Sequence, residues 1–189
     1  MEDLLTEIRQ CTICKNFLPL GPRPIVSAAS HSKIVIIGQA PGIKVHQTGI
    51  AWNDPSGNQL RKWLNVTTEQ FYNPENFAIM PMGFCYPGKG KSGDLPPRPE
   101  CAPQWHGKLF DQMENVKLVL LIGKYAQDYY LQDKTEKNLT ETVKKFKAYL
   151  PKYLPLPHPS PRNRFWLAKN PWFEKEVVPE LQNIANGIF

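Results

Sequence analysis

The chain has 189 residues, 41% hydrophobic and 21% charged, with 23 Lys/Arg against 17 Asp/Glu and a formal net charge of +6. That length suits one ordinary domain with its own core, and the composition is that of a soluble globular protein rather than a fibrous or disordered one. No apolar run approaches the length needed to span a bilayer, and the acidic start Met1-Glu2-Asp3-Leu4-Leu5 lacks a signal-peptide pattern, so a cytoplasmic protein without a membrane partner is expected.

Charge placement is more informative than its sum. Residues 1–85 carry seven Lys/Arg and six Asp/Glu, whereas residues 142–173 carry seven basic residues and no acidic one. A positive stretch of that kind suits a polyanion such as nucleic acid; a solvated, lysine-rich helix face is the plainer account.

In chain order the first marked feature is Cys11-Thr12-Ile13-Cys14, a pair that can present two thiolates from one turn. The other two cysteines, Cys85 and Cys101, have fifteen residues between them and bracket a Gly- and Pro-rich segment. In a reducing compartment four cysteines are metal ligands or free thiols rather than two disulfides. Soft thiolates favour zinc or an iron–sulfur cluster, and the spacing does not separate the two.

The apolar run Lys33–Ile37 reads as a buried strand and leads directly into Gly38-Gln39-Ala40-Pro41-Gly42, a tight turn whose glycines permit close approach of a ligand to the backbone. Trp52 follows, with Asn53 and Asp54 beside it, and Asp54 can orient or activate a water. Ser56-Gly57-Asn58 opens a helix carrying Leu60, Trp63 and Leu64, and the amino end of that helix suits a phosphate.

Phe77–Met80 and Leu118–Ile122 read as further buried strands, and the segment 86–99 between them as an irregular loop tethered at both ends. Leu139, Val143, Phe146 and Leu150 follow a helical stripe. The apolar stretch Tyr153–Pro157 then leads into His158-Pro159-Ser160-Pro161, and the tail 172–188 reads as helical, with Pro179 at a kink or a first turn. Strands alternating with helices predict a parallel α/β sheet covered on both faces, and the absence of any repeat predicts a single domain over 1–189. Both turn motifs then fall at the carboxyl ends of strands, where such sheets gather their working loops.

These two motifs, Gly38–Gly42 after one strand and His158–Pro161 after another, resemble the paired motifs of the uracil-DNA glycosylase superfamily. The four cysteines, with a Pro- and Arg-rich approach to the last of them (Leu95-Pro96-Pro97-Arg98-Pro99-Glu100-Cys101), resemble those of its family 4 branch. The resemblance implies a three-layer α/β/α sandwich around a four-stranded parallel sheet. It also implies a structural [4Fe–4S] cluster on Cys11, Cys14, Cys85 and Cys101, with zinc as the alternative.

For the site, the resemblance implies that His158 donates a hydrogen bond to the departing base, while Asp54 and the Gln39–Ala40 turn position water. Trp52 matches the position of the family's base-stacking phenylalanine, and Pro81 and Met82 fall on the base pocket's wall. Ser56, Gly57 and Ser160 are expected to meet backbone phosphate, and Arg162 and Arg164 to enter the minor groove. The partner is DNA presenting a flipped or single-stranded base, bound by a monomer.

Three positions depart from the family; at one, an acidic residue of the family aligns with Val45 or His46. Gln39 stands where family 4 usually has Glu, and Pro81 stands where an asparagine reads the uracil edge; proline has neither a side-chain amide nor a backbone donor. The expected function is hydrolysis of the N-glycosidic bond of uracil or another deaminated base in DNA. The alternatives are a non-catalytic or altered-specificity nucleic-acid-binding module of the same fold, and a zinc-stabilised nucleotide-processing protein.

Overall fold

A computed structural model describes residues 1–188. The chain opens with α1 (Glu2–Arg9), and β1 (Ile34–Ile37) follows a long approach. Then come α2 (Ile43–Thr48), α3 (Pro55–Leu64), α4 (Thr68–Tyr72) and β2 (Phe77–Ile79). A small hairpin, β3 (Lys89–Gly90) and β4 (Gly93–Asp94), precedes α5 (Cys101–Phe110), β5 (Leu118–Ile122), α6 (Lys124–Leu131), α7 (Leu139–Lys144) and β6 (Tyr153–Leu156). The chain closes through α8 (Arg164–Lys169), a π-helical turn at Phe173–Val177 and α9 (Val178–Ile188).

The four long strands form one sheet in the order β2-β1-β5-β6, and every neighbouring pair is parallel. Its core follows from the two-residue alternation of strand side chains. Ile34, Ile36, Leu118, Leu120, Ile122, Leu154 and Leu156 face one side, where they meet Leu60, Trp63 and Leu64 of α3, Phe71 of α4, Val143 of α7 and Leu181 and Ala185 of α9. Val35, Ile37, Val119 and Leu121 face the other, against Leu4, Leu5 and Ile8 of α1, Trp105 and Leu109 of α5 and Ala126 of α6. A strand buried on both faces must be apolar at every position, which is why β1 and β5 read as unbroken runs. The result is the expected three-layer sandwich. Pro155 is tolerated because β6 lies at the sheet edge, with only β5 beside it.

The order of the strands positions the site. From β1 the chain steps outward to β2, then crosses back over β1 to lay β5 on its other side, so the direction in which strands are added reverses between β1 and β5, although all run parallel. Loops leaving the carboxyl ends of strands diverge at such a point and leave a crevice.

Two expectations need correcting. Segment 86–99 is not wholly irregular: Lys89 pairs with Asp94 and Gly90 with Gly93 in an antiparallel hairpin turned by Lys91 and Ser92, with Gly93 at φ +148°. The stripe from Leu139 to Leu150 is not one helix, since α7 ends at Lys144 and a separate 3-10 turn spans Phe146–Ala148. Val143 and Phe146 are buried as the stripe requires, so the apolar pattern holds although the helix does not. At Pro179 the chain does as expected: the proline is the second residue of α9, immediately after the π turn, where a missing N–H costs least.

Candidate active site

The Gly38–Gly42 turn leaves β1 at its carboxyl end and is fixed from beneath by two backbone bonds, Met82 N–H to Gly38 O (2.8 Å) and Gly83 N–H to Gln39 O (3.0 Å). The His158 loop leaves β6 at the same edge of the sheet, and Asn163 Nδ2 donates to His158 O (2.7 Å), folding the loop back on itself. Between the two loops lies a cleft of about 840 Å³. Gln39, Ala40, Trp52, Asp54, Ser56, Pro81, His158, Ser160 and Arg162 all line it.

Trp52 occupies the centre of this arrangement in an unusual conformation. Its φ is +56°, a left-handed setting that costs a bulky residue of the order of 1–3 kcal/mol. The surroundings enforce it: Tyr72 Oη donates to Ala51 O (2.9 Å), and a Cβ on Gly57 would lie 1.7 Å from Trp52 O. Only glycine at 57 lets the first turn of α3 pass so close to the Trp52 carbonyl. A Cβ on Gly38 would likewise lie 3.1 Å from the indole, so the ring rests on the bare backbone of the turn. The indole also meets the His158 imidazole, with ring centroids 5.7 Å apart and planes tilted by 33°.

His158 is mostly shielded from solvent, and that burial lowers its pKa, with the Asp54 carboxylate acting in the opposite sense. The ring is therefore neutral near pH 7 and carries one N–H donor. Asp54 is the N-cap of α3: its Oδ1 accepts from Gly57 N–H at 2.8 Å. One carboxylate oxygen thus serves the helix while the residue lines the cleft. The Gln39 side chain is also engaged, its Nε2 donating to Leu95 O at 3.0 Å and tying the turn to the segment that follows the hairpin.

Three expected site residues do not line this cleft. Met82 is buried on the opposite face of the sheet among Met80, Phe84 and Trp105, because side chains alternate along the segment leaving β2. Gly57 lies beneath the Trp52 carbonyl with its N–H taken by Asp54, so the α3 amino end is already capped by a carboxylate rather than open to phosphate. Arg164 opens α8 outside the cleft, with its guanidinium over the Phe165 ring at 4.8 Å. The basic stretch is likewise divided by β6. Arg162 lies on the cleft side, beyond the strand's carboxyl end, while Lys152 precedes the strand at its amino end, over Tyr153.

The structure also brings in residues that the motifs do not announce. Tyr86, Lys89, Gly93 and Asp94 close one side of the cleft. Loss of hydration raises the Asp94 pKa, partly offset by Arg162 and Lys89. The one signal for them in the sequence was the Gly90-Lys91-Ser92-Gly93 stretch, a hairpin turn between glycines.

All four cysteines are free and line a single second pocket, with Arg98, Glu100, Phe84 and Trp105 around them. Burial pushes the Cys85 thiol up to about 11 and Cys101 to about 12. Cys101 Sγ accepts from Phe84 N–H at 3.3 Å, and Arg98 pairs with Glu100 while lying 4.1 Å over the Phe17 ring. Among the described residues no group of three or more His, Cys, Asp or Glu side chains is gathered closely enough to hold a metal ion.

The family model of the "Uracil DNA glycosylase superfamily" matches residues 25–182, most of the chain, and the chain belongs to that superfamily. Among solved structures it is similar to a solution NMR structure from Methanosarcina acetivorans, named only provisionally as a uracil DNA glycosylase. The two share 12% identity and a TM-score of 0.51, over 84% of this chain and 94% of that one. That likeness carries the fold.

Proposed function

We propose that this protein is a glycosylase that hydrolyses the N-glycosidic bond of a deaminated base in DNA. The observation that carries the reading is the Trp52–His158 ring pair inside the cleft formed by the Gly38 and His158 loops. A flat base stacked against the indole within the cleft comes within reach of the neighbouring imidazole. Base–aromatic stacking tolerates any base, because every base has a π-face.

Departure of the base leaves negative charge on it. A neutral, preorganised imidazole N–H aimed at that charge stabilises it without reorganisation. Water adds to the sugar C1′ as the C1′–N bond breaks, with the bonding pair leaving on the base and the water's proton passing to Asp54 or solvent. Arg162 at the cleft's rim supplies positive charge for a neighbouring phosphate. The test is incubation with oligonucleotides carrying uracil, hypoxanthine or xanthine. Free base and an abasic strand are expected; a protein that binds these strands and releases none of the three bases overturns the reading.

Cys11, Cys14, Cys85 and Cys101 hold a structural [4Fe–4S] cluster in this reading. Four soft donors around one pocket suit it. When bound, it would cross-link the amino-terminal segment, the Gly/Pro segment and α5. Anaerobically prepared protein is expected to be brown and to contain iron, and Cys101→Ser to lose both; colourless protein with stoichiometric zinc contradicts the cluster.

A second reading, a binding module without turnover, is favoured by Gln39 and Pro81. The Gln39 amide is bonded to Leu95 O, and proline offers a base no donor. It predicts tight, salt-sensitive DNA binding with no base release.

A further inference from the structure

Tyr86 closes one side of the cleft from the segment that follows β2, and the residue is only 5% exposed. Its ring packs on His46 of α2, with centroids 5.9 Å apart and planes tilted by 49°. A buried tyrosine hydroxyl ordinarily finds a hydrogen-bond partner. Among the described residues this one has none. Nor is it sealed in the core: the fully buried side-chain polar atoms left without a partner are His46 Nδ1 and Trp63 Nε1 among the described residues. The Tyr86 oxygen therefore keeps its exposure, and the cleft that the residue lines is where it does so.

Loss of hydration and the charge of the Asp94 carboxylate both raise the Tyr86 pKa, so the hydroxyl keeps its proton and can donate. Asp94 acts on it through charge alone, without a hydrogen bond.

The other walls show what a free donor is needed for. Pro81 has no N–H and no side-chain amide, and Gln39 Nε2 is engaged by Leu95 O. Stacking on Trp52 holds any base alike. Deamination replaces an amino group of a base by a carbonyl, so the altered base carries an acceptor where a donor stood. We infer that Tyr86 is a specificity-determining residue: its hydroxyl, held rigidly in the cleft wall and without a partner of its own, donates to a carbonyl on the edge of the bound base. A base lacking that carbonyl leaves the buried hydroxyl unpaired, which is how a site built around a hydrogen bond rejects an analogue. The inference rests on the glycosylase reading for its substrate but concerns binding.

The experiment compares tyrosine with Tyr86→Phe, which keeps the ring on His46 and removes only the hydroxyl, both in a His158→Ala background so that the base stays on its sugar. Affinities are read for oligonucleotides carrying uracil, hypoxanthine, unsubstituted purine (which has no carbonyl) or an abasic site. Tyr86→Phe is expected to bind the uracil strand, the hypoxanthine strand or both roughly fivefold more weakly, the net worth of one hydrogen bond. The purine and abasic strands are expected to bind as before, and a fall confined to one carbonyl-bearing base identifies the base the cleft takes. A merely structural role would weaken all four strands alike; that result, or unchanged affinity for both carbonyl-bearing bases, overturns the inference. Release rates are measured separately on the parent chain. No release there sinks the glycosylase reading alone, since the affinities still decide this one.

Discussion

Trp52 shows how a residue can be legible in type and illegible in conformation. An aromatic ring fourteen positions after Gly38 was expected to stack on a base, and it does line the cleft, but nothing in its neighbours' identities announces φ +56°. That setting comes from tertiary packing, from Gly57 beneath its carbonyl and the Tyr72 hydroxyl behind it. Trp52→Ala is expected to weaken binding of a base-bearing oligonucleotide by about 1–3 kcal/mol while leaving binding of an abasic strand nearly unchanged. A titration of both strands by fluorescence anisotropy checks it.

His106, buried on α5 beside Tyr130, was invisible for the opposite reason: a lone histidine in an apolar helix carries no motif. Its pKa is about 4 in the folded chain against an ordinary 6.5. Between those values the unfolded chain binds a proton that the folded chain does not, so stability falls as pH drops from about 6.5 towards 4 and is unaffected by this group above 6.5. The full loss is about 3 kcal/mol. Urea midpoints measured across pH 4–7 are expected to show that slope in the parent and to lack its His106 part in His106→Phe.

At the scale of elements, the strands were legible and the connections were not. β1, β2, β5 and β6 fall where their apolar runs predicted, because a strand buried on both faces leaves only one kind of sequence. The hairpin at Lys89–Asp94 was hidden, since two-residue strands show no periodicity and the many prolines around them read as loop. Met82 was misplaced by the same limit: its position along the chain was right for the wall, but alternation turns it into the core.

The start of α3 gives the sharpest test at this scale. Gly57→Ala places a methyl group in the space of the Trp52 carbonyl, where neither a helix backbone nor a strained turn can yield. A destabilisation at or beyond the upper end of about 1–3 kcal/mol is expected, with loss of base release at temperatures where the protein remains folded. Thermal melts alongside activity measure both.

Across the whole molecule, the order β2-β1-β5-β6 brings two motifs 120 positions apart to one edge of the sheet. The sequence could place each motif after a strand; that the two strands are separated only by β5 is a property of the topology. Charge behaves differently. The basic stretch looked continuous around His158, yet β6 carries the chain from the amino ends of the strands to their carboxyl ends within it, so Lys152 and Arg162 sit at opposite ends. Arg162→Ala is therefore expected to reduce the salt dependence of DNA binding by about one phosphate contact, and Lys152→Ala to leave it unchanged. Affinity measured over a range of salt concentrations separates the two.

We propose that the cleft between the Gly38 and His158 loops breaks the bond between base and sugar. The most direct measurement is single-turnover release of free base from a uracil-, hypoxanthine- or xanthine-bearing strand by the parent and by His158→Ala, with the bound fraction determined in the same samples. Release by the parent, equal binding by the variant, and a fall in its rate of about 100-fold or more, the loss typical of removing one aimed donor, are expected. Equal release rates in the two proteins would contradict the proposal.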